Sequence, residues 1–264
     1  FITSGDAIIR IDDVQKESDL FLHIGHVERG TVHVDREVNA QVGVSERRRI
    51  QSNHTATHLL QAALKKIVDP NVSQAGSLVA ADRLRFDFNL ARPVTPDELQ
   101  QVEAQINNWI AEGHTSHIAV MPIAEAKAKG AIAMFGEKYG AEVRVIDIPD
   151  VSMELCGGTH VANTAEIGLF KIMSEAGVSA GIRRIEAVAG QAVLDYLTVR
   201  DRVTKDLSDR FKVKPEEIPD RITSLQNELR TAQKQIEGLQ QELALTKAES
   251  LLARAESIGK YKIL

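Results

Sequence analysis

The sequence predicts an α+β fold in three parts. These are a small β-barrel-like piece over residues 1–45, a two-layer α+β domain over 46–190 and an antiparallel helical hairpin over 191–264. Three patterns carry that expectation. Short alternating runs broken by glycine open the chain, helical and strand periods interleave through its middle, and an apolar 3–4 repeat closes it.

In the first part, Ala7-Ile8-Ile9-Arg10-Ile11, Leu20 to Ile24, Val32-His33-Val34 and Val38 to Val44 alternate apolar and polar residues. Gly25, Gly30 and Gly43 punctuate them, and His23, His26 and His33 read as exposed strand histidines. Arg47-Arg48-Arg49 then forms a solvated entry to a helix. Ser52 or Asn53 is placed to cap it; its apolar positions are Leu59, Leu60, Ala63, Leu64 and Ile67, and it ends near Asp69-Pro70. A short polar loop bearing Gln74 leads to a strand at Leu84 to Phe88.

Thr95-Pro96-Asp97-Glu98 is a capping box with proline in the first turn, so a helix runs from there to about Glu112. Leu99, Val102, Ile106 and Ile110 make its buried stripe. Strands at His117 to Val120 and Val143 to Ile148 flank a short alanine-rich helix, Pro122 to Lys129. Two more follow at Ile167 to Met173 and Ile182 to Val188. From Val193 the pattern is helical, broken at Lys214-Pro215-Glu216-Glu217 and Pro219. The second arm carries Ile222, Leu225, Leu229, Ala232, Ile236, Leu239, Leu243 and Thr246, a seam that calls for a partner face.

Composition bounds the function class. At 264 residues, with 43% hydrophobic and 26% charged side chains, the chain has the makeup of a soluble globular protein. No apolar run is long enough to suggest a membrane span. One cysteine excludes a disulfide within the chain, and without a secretory signal pattern the cytoplasm is the expected compartment. A net charge of −5 does not announce a nucleic-acid binder, so any such contact must use local basic groups. The start at Phe1 and the stop within a helical repeat read as a piece of a longer protein.

The candidate chemistry lies in two short pairs, His54 and His58 in HTATH and Cys156 and His160 in CGGTH. Three imidazoles and one thiolate form a nitrogen and sulfur donor set suited to zinc. Thr55 stands where a His-Glu-x-x-His metalloprotease carries its general base, which argues against peptidase chemistry. Four ligands suit closed structural zinc, whereas catalytic zinc keeps a position open, and spacing alone leaves both readings standing. Cys156 could also act as a nucleophile beside His160, but thiolate ligation explains the distant histidines too. Gln74 either faces a bound ligand or is a loop amide in water. Gly157 and Gly158 either present N–H groups to an oxyanion or simply shape the turn. Of Arg183 and Arg184, adjacent on a strand, at most one faces the interior.

At these residues the chain resembles bacterial alanyl-tRNA synthetases, in the region that follows their aminoacylation domain. The matching stretches are NHTATHLLQAAL, QAGSLV, DRLRFDF, AMFGEKYG, VRVID, ELCGGTH and GIRRIEAVAG, in that order. The resemblance implies an editing domain that hydrolyses the ester of seryl- or glycyl-tRNA(Ala). It further implies zinc held by His54, His58, Cys156 and His160, with Gln74 sorting serine from alanine. The Arg183–Arg184 segment would meet the tRNA acceptor stem, and the coiled coil offers a route to self-association. Neither an ATP-dependent aminoacylation domain nor the family's C-terminal tail is expected within these residues. The competing expectations are a non-enzymatic zinc-stabilised tRNA-binding or dimerisation module and a free-standing deacylase.

Overall fold

The computed structural model describes residues 1–17, 20–133, 139–254 and 256–263. Residues 134–138, most of the AMFGEKYG stretch, lie outside that set. The chain forms two compact units, Phe1–Tyr196 and Leu197–Leu264.

The first unit opens with strands β1 (Ile2–Ser4), β2 (Ala7–Glu17), β3 (Leu20–Arg29) and β4 (Asn39–Ala40), antiparallel in the order β3-β2-β1-β4. The expected barrel-like closure does not form. Closure requires the two edge strands to bond each other along their lengths. Here β4 has only two residues, and β3 is exposed throughout. Val32 to Val34, expected as a strand, runs instead through a loop. That loop turns at Asp35, whose φ of 59° is incompatible with continued pairing.

Helix α1 (Val44–Ile67) begins well before the expected cap at Ser52 or Asn53, both of which are buried inside it. Glu46 favours the helix start electrostatically, and the arginines that follow are good helix formers, so the helix reaches back to Gly43. The Gln74 segment, read as a loop, is an edge strand, β5 (Gln74–Val79), paired with β6 (Leu84–Asn89). Helix α2 (Pro96–Glu112) starts at the predicted box: Thr95 Oγ1 accepts from Glu98 N–H, and the Glu98 carboxylate accepts from Thr95 N–H. It ends at Gly113, held at φ 72° in the left-handed cap conformation.

Strand β7 (His117–Pro122), helix α3 (Ile123–Ala128), strand β8 (Glu142–Ile148) and strand β9 (Ser152–Leu155) follow. The three strands form one antiparallel sheet, β7-β8-β9. Strands β10 (Phe170–Ser179) and β11 (Ile182–Ala189) complete the larger sheet, β10-β11-β6-β5. One face of that sheet, with Leu84, Phe86, Phe88 and Ile185, meets α1 through Ala56, Leu59, Leu60, Ala63 and Leu64, and α2 through Val102 and Ile106. All these side chains are shut off from water. This is the main core, and it makes α1 a rigid mount for whatever its other face carries.

Helix α4 (Gln191–Phe211) and helix α5 (Ile218–Ala253) meet the predicted break at a 3₁₀ turn, Pro215–Glu217. A short hairpin of β12 (Glu256–Ile258) and β13 (Tyr261–Ile263) ends the second unit. The apolar series of α5 is uncovered: Leu229, Ile236, Leu239 and Leu243 are all exposed, Leu239 at 65%. The two helices fall where periodicity puts them, but they do not bury the seam.

Candidate metal centre

Two segments a hundred residues apart converge on one point. His54 and His58 lie one turn apart on α1, and both rings leave the same side of the helix. Cys156 and His160 come from the loop that leaves β9. The four donor atoms all lie within 4.8 Å of one another. Cys156 Sγ is 3.4 Å from His54 Nε2 and 3.3 Å from His160 Nε2. Tetrahedral zinc with bonds of about 2.0–2.3 Å puts its ligands about 3.3–3.8 Å apart, so these separations suit one ion. The rings crowd accordingly, with centroids 4.2 Å apart for His54 and His160 and 4.6 Å for His58 and His160.

The protonation states fit the same use. Burial holds His58 down to about 3 and His160 to about 2, while burial and then the Arg144 charge lower His54. All three imidazoles are therefore neutral near pH 7, the form that donates a lone pair. Three buried or half-buried neutral imidazoles around a thiol make a nitrogen and sulfur donor set. His58 and His160 are buried, whereas His54 and Cys156 are half-exposed, so the cluster meets solvent on one side.

The loop conformation explains the paired glycines. Gly158 packs its backbone on the His54 ring, where a Cβ would fall 2.0 Å from Cε1. Gly157 is exposed, with nothing within 4 Å of the same position. The N–H of Gly158 points at Cys156 Sγ at 3.4 Å, which commits that donor to the sulfur and favours the thiolate. Arg144 Nη1, from β8, donates to the carbonyls of Cys156 at 2.8 Å and Gly158 at 2.6 Å, clamping the turn. Gln51 ties α1 to the loop by donating to His160 O at 3.1 Å.

Three supporting residues were not legible as such in the sequence. Arg144 sits in an ordinary alternating strand, and only the ladder bond from Cys156 N–H to its carbonyl, 3.0 Å, brings it beside the loop. Thr55 and Glu154, both buried, contact His160 and His58 and are treated below. Their signal was position: Thr55 lies inside HTATH, and Glu154 precedes Cys156 by one strand pleat.

The other predicted residues have hydrogen-bond partners outside the four ligands. Gln74 opens β5 and donates to Ser77 Oγ at 3.2 Å; among the described residues no hydrogen bond joins it to the four ligands. Arg183 and Arg184 point to opposite faces of β11, and each forks onto a carboxylate. Arg183 meets Glu175 at 2.5 and 2.7 Å, and Arg184 meets Asp87 at 2.7 and 2.8 Å. A surface cavity of about 800 Å³ is lined by Arg48, Arg49, Ser52, Gly190 and Leu194. Helical phase puts its α1 residues on the side opposite His54 and His58.

Residues 143–186, which span β8 to β11 and include the Cys156–His160 loop, match the family described as Threonyl and Alanyl tRNA synthetase second additional domain. The chain is 68% identical over 262 residues, 99% of its length, to an alanine–tRNA ligase of Nostoc punctiforme. It is equally similar over all of its length to that of Microcystis aeruginosa, and 65% identical to that of a Synechocystis strain. These matches cover 99–100% of the chain. It spans about 30% of the length of those ligases. Among the described residues no helix is long and apolar enough to cross a membrane.

Proposed function

We propose that this chain is the editing region of an alanine–tRNA ligase, a zinc-dependent deacylase that hydrolyses the ester of seryl- or glycyl-tRNA(Ala). The single observation that carries the reading is the gathering of His54, His58, Cys156 and His160 into one donor set at the edge of the core. The whole protein would attach alanine to tRNA(Ala) in the cytoplasm, and this region would correct its errors.

The physical need for such a site is plain. A pocket built for alanine cannot exclude smaller glycine and rejects serine only weakly, since serine adds one hydroxyl. A second site that hydrogen-bonds that hydroxyl discriminates sharply, because alanine leaves its polar groups unpaired.

In this reading the four residues hold zinc, which when bound supplies a Lewis-acid centre for an ester carbonyl or a water. Burial keeps the histidines neutral, and Gly158 N–H and Arg144 hold the cysteine loop in place. With the Gly158 donor engaged by sulfur, Gly157 is the better placed to offer an N–H to developing negative charge. The Gln74 amide, whose N–H is engaged by Ser77, accepts the serine hydroxyl through its oxygen. The Arg183–Arg184 segment meets the acceptor stem through guanidinium donors that Glu175 or Asp87 leaves over.

The uncovered apolar face of α5 favours a second reading, a zinc-stabilised tRNA-binding or dimerisation module without catalysis. One assay separates the two. The chain is incubated with seryl-, glycyl- and alanyl-tRNA(Ala), with and without chelator, beside a Cys156→Ala variant. Release of serine and glycine but not alanine, lost with chelator and restored by zinc, is the expected result. A folded, zinc-loaded chain that leaves seryl-tRNA intact removes the editing reading and leaves the module.

A further inference from the structure

His160 has Nε2 toward Cys156 and a hydroxyl at its other ring nitrogen. His160 Nδ1 lies 3.1 Å from Thr55 Oγ1. His54 turns its Nε2 toward Cys156 Sγ at 3.4 Å. His58 Nδ1 is buried with no hydrogen-bond partner among the described residues, and Glu154 Oε2 lies 3.6 Å away.

We infer that Thr55 is the positioning residue for His160, fixing which ring nitrogen that histidine offers a metal. The inference rests on the metal reading above. Thr55 is fully buried, and its hydroxyl oxygen also accepts from Val161 N–H at 3.2 Å. That second bond fixes the hydroxyl on the ligand loop itself, so Thr55 joins α1 to the loop as well as to the ring. For His160 to present a lone pair at Nε2, its proton must sit on Nδ1, where Thr55 Oγ1 accepts it. The threonine in HTATH thus occupies the place of a protease's general base and does different work: it selects a tautomer. Glu154 Oε2, 3.6 Å from His58 Nδ1, lies beyond hydrogen-bonding distance of that ring.

The test uses the full chain with zinc alone, comparing the parent with Thr55→Val, which keeps the shape and loses the hydroxyl, and Thr55→Ser, which keeps it. Chelator competition is expected to give Thr55→Val a zinc affinity about 10–100-fold below the parent, and Thr55→Ser one within about threefold. Long-range ¹H–¹⁵N spectra of the zinc-loaded parent are expected to show His160 protonated at Nδ1 and bound through Nε2. A merely structural threonine would leave that signature unmoved on substitution; here it is lost or mixed in Thr55→Val.

Equal zinc affinity for Thr55→Val and the parent overturns the inference, as does a metal-bound Nδ1 at His160 in the parent. Should Thr55→Val fail to fold, the parent spectrum decides by itself. A parent that takes up no zinc overturns this inference together with the metal reading. Zinc uptake without serine release leaves it standing and removes only the editing reading.

Discussion

A Cβ on Gly158 would lie 2.0 Å from His54 Cε1 and 2.4 Å from Nδ1, so the ring and the loop backbone share one contact surface. The absent side chain is what lets a histidine on α1 meet a cysteine on the loop. Gly158→Ala is expected to push the His54 ring out of place and lower zinc affinity about 10-fold or more, the range seen when a ligand's support is lost. Gly157→Ala, with open space around it, should leave zinc affinity unchanged. Zinc titration of both variants checks the contrast.

Metal removal should soften the first unit. A ligand bound only by the folded state, at about 100 times its dissociation constant, stabilises by about 2.7 kcal/mol. Zinc is expected to raise the thermal midpoint of the parent, and chelator to reverse the gain. Cys156→Ala, which removes one of the four donors, should lose most of this response in a calorimetric scan.

The buried titratable groups give the zinc-free chain a defined acid sensitivity. His58 and His160 take protons at about 3 and 2 when folded but near 6.5 when unfolded, so their contribution is present above pH 6.5 and lost as pH falls. Glu154, raised to about 7 chiefly by burial, works the other way: its contribution is full below 4.5 and lost as pH rises through 7. Near pH 5.5 the unfolded chain holds its histidine protons, whereas the folded chain keeps His58 and His160 unprotonated and a proton on Glu154. The lowered His54 acts in the same direction as the other histidines. Stability should therefore fall as the solution is acidified through that window. Urea midpoints measured with chelator across pH 5–6.5 test the sign; a flat profile would contradict it.

The mount for the site can be weakened without touching it. Phe86 is fully buried and stacks on Phe88, with centroids 5.9 Å apart, beneath α1. Phe86→Ala should cost about 3–5 kcal/mol by lost burial and the cavity left behind. Chemical denaturation of the zinc-free chain reads this directly.

Thr95 offers a milder and more local check. Its hydroxyl caps α2, and the Glu98 carboxylate that completes the box is also gripped by Arg92 at 2.7 Å through both oxygens. Thr95→Ala should cost about 1 kcal/mol, seen as a lower urea midpoint, with zinc affinity unaltered. Thr95→Ser should recover most of that loss.

Local pattern made much of this architecture legible. The Thr95 box, the Leu84–Phe88 alternation and the α5 repeat each carry their cause within a few residues, and each element formed where that cause placed it. Elements whose cause is pairing were misread. Val32 to Val34 has strand composition but no neighbour to bond, while Gln74 to Val79 looks polar yet forms an edge strand because β6 lies beside it. The start of α1 was missed because several exposed charged residues carry no apolar stripe to mark a helix.

At the site, the sequence alone determined the donor set: two i, i+4 pairs of histidine and cysteine in a chain with one cysteine and eight histidines. Only the tertiary structure decided that the pairs meet, because convergence depends on α1 packing against the sheet while Arg144 and Gln51 hold the loop to it. It also decided which residues stand behind the ligands. Thr55 meets His160 across a contact between segments distant in the chain, and no local spacing records it.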